Sequence, residues 1–101
     1  MAATFPGGSA WAMARDIAEG FVQVTERTFR RFELGQVEQL AFELDRALRD
    51  ARGEVVAADD LDAVKTRNRR IQRLNGALLM LNAYRQRAFR RGGLPRFDGR
   101  T

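Results

Sequence analysis

The chain has 101 residues, 45% of them apolar, a formal net charge of +5, and neither Cys nor His. This composition is too apolar for a disordered chain and excludes thiol chemistry, and the lack of His removes the commonest general base and metal ligand. The longest strongly apolar run covers residues 77–81, far short of the about 20 residues that span a bilayer. The N-terminal sequence matches neither a signal peptide nor a transit peptide. We therefore expect a cytoplasmic protein without a membrane span.

The first predicted elements are a short leader and a long helical region. Residues 1–9 contain one Pro and two Gly, which predicts a flexible leader that ends in Ser9 as a helix N-cap. Apolar residues then recur every three or four positions, which predicts helix over residues 10–52. Gly35 falls inside this region, and the pattern leaves open whether the helix is continuous or broken there.

A second long helix follows a short connector. Basic residues before Gly53 mark the end of the first helical region, and residues 54–58 are read as a connector because the sequence offers no partner strand. Asp59 or Asp60 then caps a helix over residues 59–91, and residues 92–101 form a tail. The predicted fold is all-α, either an antiparallel helical hairpin or a small three-helix bundle with long helices in a single domain.

Charge is distributed very unevenly along these elements. Residues 36–62 hold three Arg against eight acids, a net of −5, whereas residues 63–101 hold eleven Lys and Arg against one acid, a net of +10. Opposite charges on neighbouring helices help to select the faces that meet, although an exposed pair contributes only about 0 to 1 kcal/mol.

The sequence gives no indication of catalysis or of a cofactor. Ser9, Lys65 and Tyr84 have no recognisable activating partner, and the carboxylates of residues 58–62 are explained by helix capping. No phosphate-binding loop is present. We therefore expect a protein that is not an enzyme, with no catalytic, cofactor-binding or metal-binding residues.

The last helix combines amide and apolar side chains in an unusual way. Asn68, Asn75 and Asn82 are spaced seven residues apart and share one line of the helix, and Gly76 removes side-chain bulk beside Asn75. Amides at heptad positions select the register of a packed helix, and glycine permits close backbone approach. The pattern indicates either a contact surface for a partner helix or a seam within the chain.

These residues resemble a known family. The stretch "IQRLNGALL" at residues 71–79 is similar to the "LNxxNGxLL" motif in the C-terminal helix of FlgN-type flagellar export chaperones, with Asn75-Gly76 at the Asn-Gly and Leu78-Leu79 at the paired leucines. Residues 26–52 resemble the first half of that family, where a Gly-containing pattern joins two helical stretches.

The resemblance implies a cytoplasmic helical chaperone that binds an amphipathic C-terminal helix of a hook–filament junction protein by helix-in-groove packing. The implied partner-binding residues lie in the last helix and are Ile71, Leu74, Asn75, Leu78, Leu81, Asn82, Tyr84 and Phe89. Some of these residues must instead hold the helices together.

Two alternatives remain open at this stage. The basic run in the last helix fits phosphate contacts by a nucleic-acid-binding protein, and its candidate residues are Lys65, Arg69, Arg70 and Arg73. A phage or envelope assembly subunit that self-associates is the other alternative, and the small core makes a homodimer plausible.

Overall fold

The computed structural model describes residues 4–90, with side chains described as far as residue 88. The predicted tail lies outside this part of the chain. Over the described residues there is no β-strand, and the chain forms the helices α1 (Ala10–Glu19), α2 (Glu26–Arg30), α3 (Leu34–Gly53) and α4 (Leu61–Arg90). The prediction of an all-α bundle with long helices is confirmed. None of these helices combines the length and apolar character needed to cross a membrane.

The leader is anchored to the core, so the prediction of a flexible leader is wrong for residues 4–9. Phe5 is only 8% exposed, and its ring centroid lies 5.0 Å from that of Phe32. The Gly8 amide donates to the Phe5 carbonyl at 2.8 Å, which turns the chain into α1. Ser9 caps α1 as predicted, because its Oγ accepts from the Ala12 amide at 3.1 Å.

The helical region predicted over residues 10–52 breaks twice, at residues 20–25 and at residues 31–33. The second break lies just before Gly35, where the sequence left a break open, whereas the break at Gly20 was not expected. Gly20 has φ +85°, a left-handed conformation that glycine adopts without a steric penalty, and the Phe21 amide donates back to the Asp16 carbonyl at 2.8 Å. An extended segment then leads to α2. Gly35 lies in the first turn of α3 and interrupts nothing.

The core forms where α1, α2 and α3 pack against α4. Four apolar residues of α3, spaced three or four positions apart, face inward because this spacing repeats once per helical turn, and they are Val37, Leu40, Leu44 and Leu48. Met13, Ile17, Phe29, Leu74 and Leu81 complete the fully or almost fully buried set. Burying each of these large side chains stabilises the fold by about 1.5–3 kcal/mol.

The helix α4 runs antiparallel to α3. Arg67, near its start, donates to the carbonyls of Arg52 and Glu54 beside the end of α3, whereas Arg85 bonds Glu38 near the start of α3 at 2.9 Å. The N-cap of α4 is Asp60, whose Oδ1 accepts from the Ala63 amide at 3.1 Å.

Candidate functional site

An apolar groove lies between α1 and α3, and we call it the α1–α3 groove. Its volume is about 500 Å³. Small side chains line it on both sides, one turn apart on each helix, and they are Ala14 and Ala18 of α1 and Ala47 and Ala51 of α3. Leu74 of α4 closes the bottom. Because alanine projects only a methyl group, this floor is apolar and permits close approach of another backbone.

Charged side chains surround this apolar floor. The Arg46 guanidinium lies 3.6 Å from the Glu43 carboxylate. Arg70 pairs with two carboxylates, those of Glu19 at 2.8 Å and Glu54 at 3.6 Å. Asp50 also lines the groove, and within the described part of the chain it has no ion pair. The groove therefore offers an apolar base with charges at its edges, the arrangement that complements an amphipathic helix.

Trp11, the only Trp of the chain, forms a ridge at one end of the groove. Its side chain is 53% exposed, and the Arg15 guanidinium lies 5.1 Å from its ring centroid. On the other side of this ridge, Phe42 is 59% exposed and lines a second depression. Exposed aromatic rings next to an apolar groove are typical of surfaces that anchor a protein partner.

Several of the residues predicted to bind a partner belong to the core instead. Leu74 and Leu81 are 1% and 0% exposed, so both belong to the core. Leu81 is therefore corrected as a partner-binding residue, whereas Leu74 also reaches the bottom of the α1–α3 groove. Ile71, Leu78 and Tyr84 are partly buried against the core, and the Tyr84 ring lies 5.8 Å from Phe29. These residues form the seam within the chain.

The amides of α4 point away from this seam. Asn75 and Asn82 are exposed, and Asn82 accepts a hydrogen bond from Arg85 at 3.1 Å. Phe89 lies in the last turn of α4, but its side chain is outside the described part. The expected inner line of amides is therefore an outer line.

Gly76 is not required by the packing of this chain. A methyl group placed on its Cα would meet nothing within 4 Å, and its backbone is ordinary helix. A glycine inside a helix costs about 1 kcal/mol relative to Ala. The structure thus gives no intramolecular reason for this glycine.

The candidate phosphate-binding residues divide into two pairs. Arg70 is held by Glu19 and Glu54, and Arg73 donates to the Ala18 carbonyl at 3.0 Å, at the end of α1 where the helix dipole favours a cation. Lys65 and Arg69 are exposed and make no ion pair with the described residues. The basic helix therefore uses much of its charge to hold the bundle together.

The described residues show no arrangement typical of a catalytic or metal centre. They contain no group of three His, Cys, Asp or Glu side chains placed to hold a metal ion, and no polar or charged residue among them is buried.

Comparison with protein-family models, with curated proteins and with solved structures finds no match for this chain. The groove is therefore interpreted from its own geometry. The groove was not predicted from the sequence, although the sequence contains alanines four residues apart at positions 14 and 18 and at positions 47 and 51. Such pairs become a signal only when the two helices are known to be neighbours.

Proposed function

We propose that this chain is a non-catalytic protein-interaction module that binds one amphipathic helix of a partner in the α1–α3 groove. The observation that carries the proposal is the alanine floor beside the half-exposed Trp11. The groove has the size of pockets that hold small ligands, about 300–1,000 Å³, and it can take the apolar side chains of a few helical turns.

The physical basis is helix-in-groove recognition. A partner helix presents anchors at positions i, i+3, i+4 and i+7, and the small floor residues let its backbone lie close to α1 and α3. Trp11 would cover one end of the bound helix and anchor it there, because large aromatic side chains carry much of the binding energy of protein interfaces. The charges of Glu43, Arg46 and Asp50 would select the polar edges of the partner.

The resemblance of residues 71–79 to flagellar export chaperones supports a more specific form of the proposal. In that form the chain is a cytoplasmic export chaperone, and the partner is the C-terminal amphipathic helix of a hook–filament junction protein. The binding surface is then the α1–α3 groove rather than the α4 residues expected from the motif, since Leu74 and Leu81 are buried.

Trp11 provides the test. Synthetic peptides of junction-protein C-terminal helices that lack Trp should shift the Trp11 emission to shorter wavelength, because the bound helix removes water from the indole. Ala47→Glu should weaken binding at least tenfold, since it places a carboxylate on the apolar floor. Ala58→Glu, the same change at an exposed position of the connector before α4, should leave binding unchanged.

Two results would contradict the proposal. Equal binding by Ala47→Glu, with helicity intact by circular dichroism, would show that the groove is not used. If Ala47→Glu fails to fold, Trp11→Ala measured by calorimetry replaces it, and unchanged affinity of that variant has the same meaning. Binding of generic amphipathic helices but not of junction peptides would keep the module and reject the flagellar client.

A further inference from the structure

A second unpartnered surface lies on the outer side of α4. Each of its members lies three or four residues from another, so they share one helix face on which Leu79 and Met80 are side by side. They are Lys65, Arg69, Gln72, Gly76, Leu79, Met80 and Ala83. We call this face the α4 stripe. It is basic at its N-terminal end and apolar at its C-terminal end, where Leu79 is 64% exposed.

The α4 stripe lies on the opposite side of α4 from the groove. Leu74 faces the groove floor, and Gly76, two residues later, is rotated by about 200° around the helix. A methyl group on Gly76 would meet nothing within 4 Å, so the missing side chain leaves space that a surface from outside can use.

We propose that the α4 stripe of one copy docks into the α1–α3 groove of a second copy. This inference rests on the proposed function only in that the groove accepts a helix. The charges are complementary, since residues 36–62 carry a net −5 and residues 63–101 a net +10. More locally, Lys65 and Arg69 on the stripe and Asp50 on the groove all lack ion pairs with the described residues.

The spacing of the two surfaces also matches. Along the stripe, Met80 and Arg69 are eleven residues apart, about 16 Å of helix. Glu43, beside Trp11, and Glu54, the residue that follows α3, are also eleven residues apart. With the docked helix antiparallel to α3, Met80 therefore lies beside Trp11 when Arg69 reaches Glu54.

The same register places Gly76 opposite Ala47. The glycine of the stripe then meets an alanine of the groove floor, which allows the helices to approach closely. Asp50 lies between this point and the end of the groove, within reach of Arg69. One register thus accounts for the apolar end, the glycine and the basic end of the stripe.

This contact joins two different surfaces of the molecule, so it is heterologous. Since the groove and the stripe lie on opposite sides of α4, each added copy leaves one groove and one stripe unoccupied at the ends. Contacts of this type give rings or open chains of several copies rather than a symmetric dimer.

Sedimentation velocity of the full chain over a range of concentrations tests the inference. The wild-type mass should rise beyond a dimer. Gly76→Gln should remain monomeric with an equal or higher melting temperature, because the side chain enters open space and glutamine favours helix more than glycine. Asn82→Gln, an exposed change away from the stripe, should associate like the wild type.

Mixing two blocked variants separates head-to-tail docking from a symmetric contact. Ala47→Glu blocks the groove and Gly76→Gln blocks the stripe, so each alone should be monomeric and an equimolar mixture should form a 1:1 dimer and nothing larger. Trp11→Ala replaces Ala47→Glu if that variant is unfolded. A wild-type chain that stays monomeric at all concentrations overturns the inference, as does a mixture that stays monomeric.

The two proposals fail in different ways. Gly76→Gln keeps its groove and should still bind the junction peptides with the Trp11 shift. Peptide binding without self-association would reject only the docking of a second copy. Self-association without peptide binding would reject only the client.

Discussion

At the scale of single residues, Glu26 links α2 to α4. Its carboxylate accepts from Arg30 of its own helix at 3.4 Å and from Arg87 of α4 at 2.6 Å. Desolvation acts to raise the pKa of Glu26, but the attraction of Arg87 and the hydrogen bonds and charge of Arg30 outweigh it and hold the pKa below its ordinary value. The folded state therefore favours the ionised carboxylate.

This lowered pKa predicts a pH dependence with a definite sign. The Glu26 contribution to stability is complete above the unfolded pKa of about 4.3, and it is lost as the pH falls through the lower folded pKa, where the carboxylate takes up a proton. Glu26→Gln should lower the urea midpoint at neutral pH and reduce the loss of stability on acidification below about pH 4.3.

Urea denaturation from pH 7 to pH 3 measures this dependence. Asp45→Asn is the matched control, since Asp45 is exposed and pairs only with Arg49 of the same helix, at 2.9 Å. The control should follow the wild-type pH profile more closely than Glu26→Gln does. Parallel profiles for wild type and Glu26→Gln would show that the contacts between α2 and α4 do not depend on this charge.

At the scale of helices, α4 has two apolar faces with different roles. Leu81→Ala should lower the free energy of unfolding by about 2–5 kcal/mol, because the removed side chain is fully buried and leaves a cavity. Leu79→Ala, two residues away and mostly exposed, should change it by no more than about 0.5 kcal/mol. Chemical denaturation at low protein concentration measures both without a contribution from self-association.

This pair of variants also tests the division of the partner-binding residues. If both variants were equally destabilised, the outer face would be packed in the monomer and could not dock elsewhere. If neither were destabilised, the core assignment of α4 would be wrong.

The helix type and the outer ends of the two helical regions could be predicted from the sequence, whereas the break at Gly20 could not. Periodicity and capping are local signals, so Ser9, Gly53 and the acidic cap of α4 were readable directly. Gly20 and Gly35 look alike in the sequence. They differ in backbone conformation, because Gly20 has φ +85° and ends α1 with Arg73 packed beside it, whereas Gly35 is ordinary helix in the first turn of α3.

At the scale of the whole molecule, the groove could not be predicted because it depends on which helices become neighbours. The position of Trp11 at its end follows from the packing of α1 beside α3, contacts that are distant in sequence. The leader was mispredicted for a related reason, since Phe5 finds its partner Phe32 only after the chain has folded. Local signals describe helices, but a binding surface arises between them.

The charge of the whole molecule gives the last prediction, which concerns nucleic acid. Since Arg70 and Arg73 hold α1 and α3 against α4, Lys65 and Arg69 are the available members of the candidate phosphate-binding set. We expect only weak binding to duplex DNA, lost near physiological salt. Lys65→Gln with Arg69→Gln should reduce the slope of log affinity against log salt by about 2.

Fluorescence anisotropy of a labelled duplex over a series of NaCl concentrations measures this slope. Arg70→Gln with Arg73→Gln is the matched control, and it should lower the melting temperature while changing the slope little, because these side chains are held by protein groups. The wild type could instead bind DNA at about 0.2 M salt and lose this binding in the Arg70 and Arg73 variant. That result would mean that these two arginines leave their protein partners to contact phosphate. It would favour nucleic-acid binding over helix binding as the function.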